Sequence, residues 1–276
     1  MINSFFCNFA VMNNDITRTP RSIIRIGRQT LMFASPLSSP PGLRVEPYIV
    51  KSGMSMAANL REAFRESGLL SLSGSRVQVL LDSDVLLVPL DEYDEDSVST
   101  LYHHTFPSRQ KDIVLTHVIP GLNCVAVYSI NKDLRLVITD HFPDVRIMPV
   151  LVPVWTHLHQ LSYAGRTRKL YAYAHDGSLA VFSFANNRFR FMNTFVTSEV
   201  TDTAYYILYV WQQLAFDRQR DEIVLVGAFP DSDMLRTELR RYVANVYLVS
   251  PSAEFNRSPI TQIQHITYDL ICLCES

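Results

Sequence analysis

Residues 170–191 read LYAYAHDGSLAVFSFANNRFRF. Two apolar runs flank His175-Asp176-Gly177-Ser178, and Asp-Gly between β-rich runs is a strong hairpin signal, because both central residues accept positive φ. Residues 170–174 and 179–184 are therefore the arms of a hairpin. Asn186-Asn187 makes a second turn, since asparagine tolerates the left-handed region. Beyond it, Arg188-Phe189-Arg190-Phe191 alternates polar and apolar, as a half-buried third strand does. The stretch is a three-stranded antiparallel meander.

The residues that follow extend the pattern. Asp202 opens a helix with Ala204, Ile207, Leu208, Trp211, Leu214 and Ala215 on a broad apolar face. Residues 222–226 form an apolar strand that runs into Gly227. Asp233 opens a helix with Leu235, Leu239, Tyr242 and Val243 inward, and residues 246–249 form a strand. The order is β-β-β-α-β-α-β. The first half begins alike. Residues 23–34 give one or two strands and 43–50 a third. A helix follows through Met56, Leu60, Ala63 and Phe64, with Gly68 as its C-cap, and then a strand over 76–81. Strands are also expected at 85–88, 113–119, 125–130 and 134–139. Asp94, Glu95 and Asp96 start a helix towards His104, residues 143–153 are poorly patterned, and a short helix spans 155–161. The tail, 260–274, reads as a helix, with a strand as the alternative.

A meander followed by alternating helix and strand, used twice, is the pattern of two ribonuclease-H-like lobes. The expected fold class is α/β with mixed sheets, and by analogy two such lobes suggest the actin-like ATPase architecture. The expected division is 16–162 and 163–276, split near residues 160–168. Residues 1–15 are expected to be disordered or a mis-assigned start, with Met12 as the alternative initiator, and to add nothing to the core.

Composition narrows the function. In 276 residues, 25 Lys and Arg oppose 27 Asp and Glu, for a net charge of −2, and 47% are hydrophobic. This excludes a disordered chain and a strongly basic nucleic-acid binder. Glycine occurs only 9 times, and no two glycines lie closer than Gly68 and Gly74. There is no GxG and no P-loop, so motifs that bring backbone against phosphate are missing. The four cysteines are too few for a disulfide framework, which suits a cytosolic protein. No apolar run is long enough to span a membrane, and no Gly-x-Ser-x-Gly elbow offers a serine nucleophile. Cys272 and Cys274 lack a second pair to complete a metal site. The acids at 91–96 suit a helix N-terminus, Asp82-Ser83-Asp84 suits a turn between strands, and His157 and His159 point to different sides of a helix.

Certain runs carry a resemblance to a known family. These are residues 85–89 (VLLVP) before an acidic helix start, 191–195 (FMNTF), 202–208 (DTAYYIL) and the strand 223–227. In order and spacing they resemble the Bacteroidetes family designated domain of unknown function 3822, over most of the chain after about residue 22. The resemblance implies an actin-like ATPase fold and supplies no activity.

Actin-like ATPases hold phosphates in two turns, one per lobe, each after Asp-x-Gly. In lobe one the corresponding run is Arg25-Ile26-Gly27, with arginine where the acid belongs, and the turn falls at Arg28. In lobe two it is Asp176-Gly177-Ser178. The adenosine grip, usually paired glycines, is Gly227-Ala228. Arg28, Asp176, Gly177, Ser178 and Gly227 are therefore the candidate ligand-binding residues of the inter-lobe cleft. No catalytic residue and no metal ligand is assigned. The first reading is a non-catalytic, cytoplasmic bacterial scaffold or adaptor with an eroded nucleotide site, a protein partner and no cofactor. A divergent ATPase or kinase using ATP with magnesium is the alternative. An RNA- or ribosome-associated factor is a further one, resting on the basic groups Arg166, Arg168, Lys169 and Arg236, Arg240, Arg241.

Overall fold

The computed structural model describes residues 21–36, 42–71, 76–162 and 167–275. The chain forms two compact units, Met1–Trp155 with Ser258–Ser276, and Thr156–Arg257. The elements of the first are β1 (Ser22–Ile26), β2 (Leu31–Pro36), β3 (Leu43–Tyr48), α1 (Met56–Glu66), α2 (Gly68–Ser71), β4 (Arg76–Leu81), β5 (Val85–Pro89), α3 (Val98–Thr105), β6 (Ile113–Ile119), β7 (Cys124–Ile130), α4 (Lys132–His141) and β8 (Asp144–Pro149). Helix α5 (Leu151–Ser162) carries the boundary. The second unit holds β9 (Lys169–His175), β10 (Ser178–Ala185), β11 (Arg188–Val196), α6 (Val200–Gln213), β12 (Glu222–Gly227), α7 (Ser232–Arg240), β13 (Asn245–Leu248) and α8 (Pro251–Glu254), and α9 (Tyr268–Glu275) returns to the first.

Both units use one sheet topology. In the first the order is β3-β2-β1-β4-β8, in the second β11-β10-β9-β12-β13. In each, three antiparallel strands lead and two parallel strands follow. The period of two along a strand sends alternate residues to opposite faces. Ile24 and Ile26 of β1 and Val77, Val79 and Leu81 of β4 thus join one core, covered by Leu60 and Ala63 of α1 and Leu134, Val137 and Ile138 of α4. In the second unit Leu170, Ala172, Ile223 and Leu225 pack against Ile207, Val210 and Trp211 of α6 and Leu235 and Leu239 of α7. A three-stranded antiparallel sheet, β5-β7-β6, is inserted into the first unit and covered by Val98 and Tyr102 of α3.

The structure corrects several expectations. Residues 134–139 are helical. The Asn131 side chain accepts from the N–H groups of Asp133 and Leu134, and this cap outweighs the β-branched composition of the run. Residues 144–149, poorly patterned in sequence, are β8, a parallel edge strand whose proline sits at its end. Gly68 does not cap α1. Ser67 does, donating its N–H to the Ala63 carbonyl, and Gly68 begins α2. The unit boundary falls at 155/156, before the expected 160–168, and the tail from Ser258 groups with the first unit, not the second. The expectation for residues 1–15 lies outside the described residues.

On the other face of β1, Arg25 and Asp269 of α9 form an ion pair of 2.7 Å with side-chain exposures of 2% and 0%. Removing one partner of a buried pair leaves a charge without compensation, at a cost of about 3–5 kcal/mol, whereas replacing both by apolar groups is often neutral. Asp269→Ala should therefore lower the stability of the first unit by about that amount, and Arg25→Met with Asp269→Leu should restore most of it. Urea unfolding followed by Trp155 fluorescence in a Trp211→Phe background measures both.

A second ion pair closes the start of the sheet. Asp144 accepts from Arg21 at 2.7 and 2.8 Å and from Arg76 at 2.8 Å. Hydrogen bonds from Arg21, then Arg76, hold its carboxyl down at about 2. The folded value lies below the unfolded one of about 3.9, so this contribution is present above that pH and lost as pH falls towards the folded value. Asp144→Asn should make the fall in urea midpoint between about pH 4 and 2 less steep.

Candidate functional site

In the first unit, the turn between β1 and β2 is closed by the Gly27 N–H donating to the Thr30 carbonyl at 2.9 Å. Arg28 stands at its tip. Because β1 and β4 run parallel with Ile26 beside Leu81, the end of β4 reaches the same place, and the Asp82 N–H donates to the Ile26 carbonyl at 2.8 Å. Arg28 Nε lies 3.5 Å from Asp82 Oδ2, and its Nη2 3.3 Å from Asp84 Oδ1. Asp84 also accepts from Arg109 Nε at 2.9 Å. Two carboxylates of the β4–β5 connection thus lie against the β1–β2 turn, paired to the guanidinium groups of Arg28 and Arg109.

Read alone, Asp82-Ser83-Asp84 looks like a plain turn between strands. The signal that places it was the β-β-β-α-β order itself, since parallel β1 and β4 must end at the same edge of the sheet. Arg25 takes no part in the tip. It points to the opposite face from Ile24 and Ile26, where Nε bonds Asp269 and Nη1 donates to Thr30 Oγ1 at 3.3 Å.

In the second unit the β9–β10 turn has Asp176 at φ 44° and Gly177 at φ 71°, the two positive values that the Asp-Gly hairpin requires. Ser178 pairs with His175 across it, and both are buried. The His175 ring stacks on Tyr173 at 4.8 Å. Gly227 ends β12 beside Ala174 of β9, so it lies at the same end of the sheet as the hairpin turn. Its φ is 89°, and a Cβ there would fall 2.3 Å from the Ala174 carbonyl oxygen and 3.0 Å from the Tyr173 ring. Strand packing alone therefore demands glycine at 227. Arg28 belongs to the first unit, and Asp176, Gly177, Ser178 and Gly227 to the second. Within each unit the candidates lie beyond the carboxyl ends of parallel strands, where ligands of open α/β sheets bind.

Other residues singled out in the sequence have local partners. His157 bonds Glu254 at 3.0 Å and stacks on Phe255, while His159 bonds the Asn186 carbonyl at 3.1 Å. Hydrogen bonds from Ser97 and from the Asp96 N–H lower the Asp94 pKa, as local turn contacts do. Burial pushes the Cys124 thiol up to about 11, which makes it a poor nucleophile. Cys272 and Cys274 are buried on α9. Of the basic groups, Arg168 pairs with Asp221, Arg236 with Asp233 and Arg241 with Glu238, and Arg240 donates to the Val246 carbonyl. Arg166 lies outside the described residues.

The two glycines predict different losses. Gly227→Ala combines a left-handed backbone with a steric clash and should cost about 2–5 kcal/mol. Gly177→Ala meets nothing within 4 Å and should cost only the left-handed penalty, about 1–2 kcal/mol. Urea unfolding followed by Trp211 fluorescence distinguishes them.

Comparison with known proteins agrees with this topology. A Bacteroides thetaiotaomicron VPI-5482 protein with actin-like ATPase fold and unknown function superposes with a TM-score of 0.78 at 24% identity, covering 88% of this chain and 96% of that one. A chain of the PilM-PilN type IV pilus biogenesis complex superposes with a TM-score of 0.55 at 13% identity, covering 92% and 96%. At such identities the likeness shows the fold, which is the actin-like ATPase fold. No curated protein matches the chain. The family model described as "Protein of unknown function (DUF3822)" matches residues 24–246, and the chain belongs to that family.

Proposed function

We propose that this protein is a non-catalytic, cytosolic member of the actin-like fold that acts as a scaffold or adaptor for a protein partner. The observation that carries the reading is the state of the β1–β2 turn. Organising a metal-bound water beside a phosphate needs a carboxylate with charge to spare. Here Asp82 and Asp84 face the guanidinium of Arg28, and Asp84 also faces Arg109. Arg28 lies 3.5 Å from Asp82 and 3.3 Å from Asp84, and we read this tethered cation as taking the place of an exchangeable one. Gly227 adds to the reading. Its missing side chain leaves room for the Ala174 carbonyl, and close strand packing accounts for it without a ligand.

The nucleic-acid reading has less support, because the arginines at 168, 236, 240 and 241 each have a protein partner. Among the described residues no helix is long and apolar enough to cross a membrane.

The test is thermal unfolding with magnesium and ATP in millimolar excess, with phosphate release measured in parallel. No rise in melting temperature and no release are expected. A ligand at about 100 times its dissociation constant adds roughly 2.7 kcal/mol, so a rise of several degrees would replace this reading with the divergent ATPase.

A further inference from the structure

Each sheet ends in two edge strands, and an edge is a row of unpaired backbone groups that proteins normally protect with charge, proline or shortness. Most edges here follow that rule. β3 carries Arg44, Glu46 and Pro47, β8 carries Asp144, Arg146 and Pro149, and β11 carries Arg188 and Arg190. β5 ends in Pro89, and β13 has only 4 residues. β6 is different. Its 7 residues, Ile113–Ile119, contain neither charge nor proline. It pairs along its whole length with β7 on one side, and β7 is its only strand neighbour among the described residues. Ile113 and Leu115 pack into the main core of the first unit and Val114 into the cluster under α3, which holds the strand rigid, while Thr116 and Val118 remain exposed.

The sequence of β6 is close to a palindrome about Thr116. An antiparallel pairing of two copies centred there sets Ile113 against Ile119, Val114 against Val118 and Leu115 against His117, with Thr116 facing its own mate. Such a contact has the two-fold, self-complementary form of most homodimer interfaces. The β-branched pairs Ile113–Ile119, Val114–Val118 and Thr116–Thr116 are of the kind that stabilise adjacent strands. None of residues 113–119 is charged, so no like charges, which would destabilise the pair, oppose one another in this register. We propose that β6 is a homodimerisation edge, joining two copies of this chain through one six-stranded sheet ordered β5-β7-β6-β6-β7-β5. The inference is independent of the nucleotide question.

Light scattering on the full chain across micromolar to submillimolar concentrations tests it. The wild type should be a concentration-dependent dimer. Thr116→Lys places two ammonium groups face to face at an exposed position, and should give a monomer with an unchanged melting temperature at low concentration. Thr116→Cys should yield a disulfide-linked dimer on mild oxidation, where the wild type and a Thr139→Cys control on exposed α4 do not. A wild type that stays monomeric throughout overturns the proposal and leaves the edge to an extended segment of another protein. A dimer that survives Thr116→Lys and forms no crosslink through Thr116→Cys overturns it as well.

Discussion

A guanidinium group buried in an apolar sheet is tolerated only if its charge is met, and in this protein the partner lies 244 residues away. Arg25 occupies the central strand of the first unit, and its Nε is held by Asp269 of the last helix at 2.7 Å. The fold of the first unit therefore depends on its own C-terminus. Asp269 of α9 supplies the carboxylate that meets a guanidinium only 2% exposed at the centre of the sheet. The same side chain donates through Nη1 to Thr30, which closes the turn carrying Arg28. One buried pair thus ties together the chain's end, the sheet's central strand and the loop on which the functional reading rests.

Two units with one topology also separate what the fold needs from what a ligand would need. In both, the first meander turn and the ends of the parallel strands meet at one edge of the sheet. The first unit fills that edge with charged side chains, Arg28, Asp82, Asp84 and Arg109. The second fills it with a tight hairpin and a glycine under a carbonyl. The topology is held in common while the chemistry at the edges is not.

The meanders were legible because Asp-Gly and Asn-Asn fix turn geometry locally, and α1, α6 and α7 because their apolar spacing survives in one dimension. The failures have a common cause. Residues 134–139 look like a strand by composition, and only the Asn131 cap outside that run decides for a helix. β8 takes its identity from pairing with β4, since its alternation, Asp144-Val145-Arg146-Ile147, runs for only four residues between Pro143 and Pro149. The return of the tail to the first unit buries Leu270, Ile271 and Cys272 together with Asp269, whose one local sign is an acid inside an otherwise apolar run. At the candidate site, the turn positions of Arg28, Asp176 and Gly177 are legible from their local sequence. The acids facing Arg28 were missed because their meaning comes from strand order, not from their neighbours in sequence.

The scarcity of glycine bears on function as well as on folding. Among the described residues, seven non-glycine positions have positive φ, including Asn123, Asp176 and Asn186, against three glycines. Asparagine and aspartate adopt this conformation because their short polar side chains bond locally, but each brings a side chain to a place where glycine leaves the backbone bare. Phosphate-binding nests work by presenting bare, convergent N–H groups. On the proposed reading, a chain that closes these turns with Asp and Asn meets its surroundings through side chains and strand edges. Side chains and strand edges are the features by which polypeptides recognise one another, which is the physical ground for the proposed binding role.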